Sequence, residues 1–145
     1  MAGLGFDDFF PKTISSKTHG IIDYIHAGTN FVAGALLLKR SKGAAIGAFA
    51  LGGSVLFNAL MTDYEYGVFR KWDFKVHGIL DYAVAATSAA LPALLDIDDT
   101  AAKSFLYAQG SGETVIAGLT NYDDNSGAER SWKSPRDWSR DRWAA

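Results

Sequence analysis

The sequence contains no cysteine, and only three prolines and three histidines among 145 residues. Without cysteine there is no disulfide, no thiolate nucleophile, and no cysteine-held zinc or iron–sulfur site. Motifs for nucleophilic and nucleotide chemistry are missing too. There is no Gly-x-Ser-x-Gly elbow, no phosphate loop and no dinucleotide-type glycine pattern after a strand; Gly110-Ser-Gly112 is a local break. With a net charge of −2 and no basic face interleaved with aromatics, nothing marks a nucleic-acid partner. Charge is also scarce in four long stretches, residues 19–38, 44–62, 76–95 and 104–120, which are rich in Ala, Gly, Leu, Ile and Val. The near-zero mean hydropathy of +0.01 averages these stretches with highly charged connections. The chain opens without a basic start and apolar run, so delivery to a membrane is expected through its own helices.

What the sequence does contain is a motif and its echo. His19-Gly-Ile-Ile-Asp23-Tyr24 returns as His77-Gly-Ile-Leu-Asp81-Tyr82, and Met61-Thr62-Asp63-Tyr64 returns as Leu119-Thr120-Asn121-Tyr122, both at an offset of 58 positions. Two motifs duplicated without slippage point to a repeated structural unit. The expected organisation is a leader (1–18), a four-helix membrane domain (19–122) made of repeats 19–64 and 77–122, and a polar tail (123–145) carrying Trp132, Trp138 and Trp143. The expected fold is all-α, with four transmembrane helices forming two duplicated hairpins. Crossing a hydrocarbon core takes about 20 residues, which the first stretch supplies. The fourth is the weakest, since it carries Gln109 and Glu113 and spans only if those groups face other helices. A soluble four-helix bundle is the alternative.

Small residues four apart, such as Gly43/Gly47, suit close helix packing in lipid. The 63–75 link mixes Tyr64, Tyr66, Phe69, Trp72 and Phe74 with Arg70, Lys71 and Lys75, as a membrane–water boundary does. Two helices per repeat put the N-terminus, this link and the tail on one side. That side holds ten basic residues and the other four, which implies cytoplasmic termini in an inner membrane.

Residues i and i+4 share a helix face. His19 with Asp23, and His77 with Asp81, therefore project together, and the repeat brings the two pairs to one end. Asp63 and Asn121 are expected at the rim, with Tyr24 and Tyr82 adjacent. Ionisable groups within apolar helices are expensive and point to function. Four readings fit them: internal pairing that locks the hairpins; a divalent metal on His19, Asp23, His77 and Asp81, with Zn, Mn or Fe suited; haem or chlorin ligation by His19, His77 or His26; and proton transfer through His, Asp and Tyr. His26 and Glu113 break the repeat, aligning with Val84 and Val55. Their depths are comparable at ~1.5 Å rise per residue, so two readings stand: a contact between them, or His26 on a backbone carbonyl and Glu113 protonated against Asn58 or Gln109.

His-x-x-x-Asp-Tyr at a helix start, followed by Met-Thr-Asp-Tyr-Glu-x-Gly-Val before a second His-x-x-x-Asp, resembles the bacterial SPW-repeat type of small four-helix membrane protein over residues 17–122. The resemblance implies a duplicated two-helix unit in the inner membrane and no particular activity. Leu38-Lys39-Arg40 and Leu95-Asp96-Ile97 stand where the Ser-Pro-Trp signature would fall. The function expected first is a non-enzymatic membrane subunit or scaffold, packed in lipid against other membrane chains or copies of itself, as in a respiratory or photosynthetic assembly. A haem-, chlorin- or metal-binding protein for electron or proton transfer is the second reading. A small channel or transporter, with Glu113 and the pair Asp23 and Asp81 lining a path, is the third.

Overall fold

A computed structural model describes residues 10–124. The Trp-rich tail, with Trp132, Trp138 and Trp143, and the first half of the leader lie outside the described residues. Four helices follow in order: α1 (Ser16–Leu37), α2 (Lys42–Met61), α3 (Phe74–Leu94) and α4 (Thr100–Leu119). Each begins at a residue whose side chain accepts a free backbone N–H of the first turn: Ser15 from Thr18, Ser41 from Ala44, Asp73 from Val76 and Asp99 from Ala102. The short connections after α1 and α3 make two hairpins. The longer 62–73 link folds back over the end of α2, with the Val68 and Phe69 amides donating to the Leu60 carbonyl.

Each hairpin closes on a glycine. A side chain at Gly52 would meet the Ala27 carbonyl oxygen at 3.1 Å, and one at Gly110 would meet the Ala85 carbonyl oxygen at 2.8 Å. The hairpins also start alike. Ile14 forms a bridge with Thr120 ahead of α1, and Trp72 forms one with Thr62 ahead of α3. Each entering segment is thereby fixed against the end of the preceding helix in the ring.

The interior has two levels. At one end Leu37, Ala44, Ala45, Leu51, Ile97, Ala102 and Leu106 form an apolar core. At the other, Tyr64, Phe74 and Ala59 pack with Tyr66 and Tyr122. Between them the buried side chains are largely polar: His19, Asp23, Asn30, Asn58, His77, Asp81, Ser88 and Glu113. The outer surface is the reverse. On α1 the outward stripe is Ile21, Ile25, Val32 and Leu36, exposed by 46%, 64%, 62% and 73%. The inward stripe on the same helix includes His19, Asp23, His26 and Asn30. Among the described residues one helix, α2, is long and apolar enough to cross a membrane by length and composition, with a mean hydropathy of 1.7.

Candidate functional site

The centre of the molecule lies where α1 and α3 begin. The first turn of each supplies a histidine and the second an aspartate. All four side chains are buried: His19 0%, Asp23 2%, His77 0% and Asp81 3% exposed. The two imidazoles meet through their Nε2 atoms, 3.1 Å apart. The carboxylates flank them, each placing one oxygen near each ring. His19 Nε2 is 3.2 Å from Asp23 Oδ1 and 3.2 Å from Asp81 Oδ2. His77 Nε2 is 3.3 Å from Asp23 Oδ2 and 3.2 Å from Asp81 Oδ1.

The far side of each ring is held by a threonine at a helix end. His19 Nδ1 lies 2.7 Å from Thr120 Oγ1, and His77 Nδ1 lies 2.7 Å from Thr62 Oγ1. Both hydroxyls donate to a carbonyl four residues back, Thr120 to Ile116 at 2.7 Å and Thr62 to Asn58 at 2.6 Å. A hydroxyl has one proton to give. Each threonine oxygen is therefore an acceptor towards the imidazole, which fixes the proton on Nδ1. The Thr120 amide turns to Ala117, so the Ile116 carbonyl depends on that hydroxyl.

The carboxylates have their own supports. The Tyr64 hydroxyl donates to Asp23 at 3.0 Å, and the Tyr122 hydroxyl donates to Asp81 at 2.7 Å. Burial first, then the charge of the aspartate each approaches most strongly, raises both phenols above their ordinary range, so they remain donors. Asp81 receives a further bond at 3.0 Å from Asn58 Nδ2. Asn58 in turn accepts from the Trp72 indole at 3.1 Å. Phe74 covers the imidazoles from the end of the bundle, its ring 5.4 Å from His19, 5.5 Å from His77, 5.6 Å from Tyr64 and 4.9 Å from Tyr122.

Gly20 and Gly78 make this closure possible. The neighbouring tyrosine ring lies flat against each helix there, and an added Cβ would stand 2.8 Å from Tyr64 or from Tyr122.

The structure thus joins His19, Asp23, His77 and Asp81. Among the described contacts, Tyr24, Asp63 and Asn121 bond to groups outside these four. Tyr24 is on the outside, donating to the Tyr66 carbonyl at 2.9 Å, and Tyr82 is also exposed. Asp63 faces Arg70 at 3.6 Å. The Asn121 side chain accepts from the Asp123 amide. The groups in their stead are Thr62, Thr120, Tyr64 and Tyr122, all within the second duplicated motif. Asp63 and Asn121 lie just past the helix ends, and the contacts fall to their neighbours because Thr62 and Thr120 are the capping residues, facing in. Phe74 had no counterpart in the repeat to signal it, since Ser16 stands at that offset.

His26 and Glu113 do meet, at 2.7 Å, on the α1–α4 seam beside a cavity of ≈ 240 Å³ lined by Ile22, Gln109 and Ile116 among others. Deeper on that seam Asn30 donates to Gln109 at 3.3 Å. A haem or chlorin between His19 and His77 needs a slot as wide as its ring; the 3.1 Å approach and the flanking carboxylates leave none.

Compared with family models, curated proteins and solved structures, the chain matches none.

Proposed function

We propose that this chain is a non-enzymatic integral membrane protein, a four-helix bundle of two duplicated hairpins that serves as a scaffold or accessory subunit. The observation that carries the reading is the inverted polarity of α1. Its inward stripe is His19, Asp23, His26 and Asn30, while Ile25, Val32 and Leu36 face out. A protein in water favours the opposite arrangement, because burying apolar area gains about 25 cal/mol per Å². In a bilayer the apolar stripe meets lipid tails, and ionisable groups face the bundle interior. Average hydropathy undervalues such helices because their polar groups are turned inwards. The resemblance to SPW-repeat proteins and cytoplasmic termini in an inner membrane belong to the same reading.

The subunit role rests on the outer face of α3 and α4. Ala86, Ala89, Ala90 and Ala93 are exposed on α3, and Ser111 on α4. Small residues let helices approach closely in lipid, where area burial alone drives no association. This face fits a transmembrane helix of another chain or a second copy. A conducting path has less support, since below Asn30 and Gln109 the interior is filled by the apolar core around Leu37, Ala45 and Leu106.

The test is membrane fractionation followed by cross-linking. The chain should resist carbonate washing and dissolve only in detergent. Ala86→Cys, in a protein with no other cysteine, should form a disulfide-linked dimer or a cross-link to a stoichiometric partner, whereas Ile25→Cys on α1 should not. Release by carbonate alone would sink the membrane reading. Equal cross-linking from both positions would sink the α3 face.

A further inference from the structure

The geometry of the buried centre points to a metal site: we propose that His19 Nε2, His77 Nε2, Asp23 and Asp81 bind one zinc ion. With Nδ1–H of each imidazole given to a threonine, both Nε2 atoms present lone pairs to the middle. The carboxylates present only acceptors. Four acceptor groups therefore converge where no solvent reaches. Their remaining partners among the described residues, Tyr64, Tyr122 and Asn58, are neutral, and no lysine or arginine is paired with either carboxylate. Two buried negative charges require two positive ones. Either two protons or one divalent cation supplies them.

The distances decide between these. A charge-assisted N–H···O bond is about 2.7–2.9 Å long, and this protein makes one at 2.7 Å between His26 and Glu113. In the centre all four nitrogen–oxygen separations are 3.2–3.3 Å, and two imidazolium N–H groups would face each other across 3.1 Å. All four are too long for ion pairs, and they involve four different oxygens, since each carboxylate turns one to each ring. An ion between the rings would meet both carboxylates side-on, with imidazole and carboxylate bonds of about 2.0–2.2 Å. One ligand atom each from His19, Asp23 and His77 lies within 4.8 Å of the others, and Asp81 reaches both imidazoles from the remaining side.

The surroundings are those of a metal centre. Each imidazole is oriented by an acceptor at Nδ1, and each carboxylate accepts a tyrosine hydroxyl, the kind of outer support that fixes ligands. Two imidazoles and two carboxylates without sulfur suit zinc. The chain supplies two imidazoles and two carboxylates and Phe74 covers the end, which describes a closed structural ion and not a catalytic one. Such an ion would link α1 to α3 directly, and α2 and α4 through Thr62 and Thr120. The inference is independent of the bilayer reading, because the same centre would bind zinc in a soluble bundle.

The test uses the full chain purified in mild detergent from zinc-supplemented cells. Elemental analysis should find one zinc per chain. After chelation, cobalt(II) should restore one equivalent with the intense visible bands of four-coordinate cobalt, and zinc should displace it. Thr62→Val and Thr120→Val keep the side-chain shape and remove the Nδ1 acceptor. Each should weaken cobalt binding about 10- to 100-fold with unchanged helicity, and His19→Gln with His77→Gln should abolish it. A folded wild-type chain that carries no zinc and gives no cobalt bands overturns the proposal and leaves a doubly protonated centre. Undiminished binding in the threonine variants or in the histidine double variant overturns it equally.

Discussion

Tyr64→Phe and Tyr122→Phe delete one hydroxyl each from the centre and leave the rings in place. Hydrogen bonds to charged groups contribute about 1.5–3 kcal/mol. On length alone Tyr122 should matter more, since its bond to Asp81 is 2.7 Å and that of Tyr64 to Asp23 is 3.0 Å. The surroundings predict the reverse order. When Tyr122 is lost, Asp81 still accepts from Asn58 at 3.0 Å. When Tyr64 is lost, Asp23 has only the imidazole side of the centre, because Ile116 stands where the repeat would place an Asn58 equivalent. An unsatisfied buried acceptor carries its full desolvation cost. The expected losses are about 3 kcal/mol for Tyr64→Phe and about 1.5 kcal/mol for Tyr122→Phe.

The assay is far-UV circular dichroism during unfolding by SDS in mixed micelles, with equal transition slopes required before midpoints are compared. Average side-chain bonds between membrane helices contribute only about 0.6 kcal/mol. Losses at that level for both variants would show that Asp23 and Asp81 are not held as charged acceptors. Equal losses, or a larger one for Tyr122→Phe, would refute the compensation argument. Adding Asn58→Ala to Tyr122→Phe should cost more than the sum of the two single changes. The phenols also fix a pH limit. Their folded pKa values are raised from 10.0, so their contribution is complete below about pH 10 and declines as pH rises beyond it. Both Phe variants should flatten that alkaline decline.

Gly78→Ala should destabilise by roughly 1–2 kcal/mol, because displacement of Tyr122 outweighs the ~1 kcal/mol gained in helix propensity; Gly112→Ala, with open space around it, should show no loss in the same denaturation assay. His26→Val should cost about 3–5 kcal/mol by leaving Glu113 buried without its partner. His26→Val with Glu113→Val, which installs the residue types of Val84 and Val55, should recover most of that loss; a double variant as unstable as the single would refute the pairing.

The helix count and the central four residues were legible in the sequence because a 58-residue offset repeats His, Asp and Thr with fixed spacing. The i, i+4 geometry then needs only a helix to bring His19 to Asp23. The helix starts were less so: α4 begins at Thr100 and not in the fourth apolar stretch, since Asp99 caps it well before the apolar run. The choice of tyrosines was not legible either. Tyr24 and Tyr82 follow the aspartates directly, but a residue next to one facing inwards points about 100° away on a helix of 3.6 residues per turn. Tyr64 and Tyr122 sit past the helix ends, where the backbone can bring a ring back across Gly20 and Gly78. No periodicity encodes that return.

The duplicated and unduplicated residues divide the molecule into two kinds of polar interior. The centre uses His, Asp, Thr and Tyr twice, and removal of any one leaves a buried acceptor or charge exposed to its neighbours. The seams between the hairpins differ instead. At α2–α3 a groove of ≈ 540 Å³ is lined by Leu51, Leu80 and Val84. The same offset puts Gln109, Ile22 and His26 on the α1–α4 seam, where His26 and Glu113 pair at 2.7 Å. A bundle that needed this pair for closure would need it on both seams, and one seam closes without it. Closure therefore resides in the centre and the glycine contacts, while the His26–Glu113 pair sets the two sides of the bundle apart.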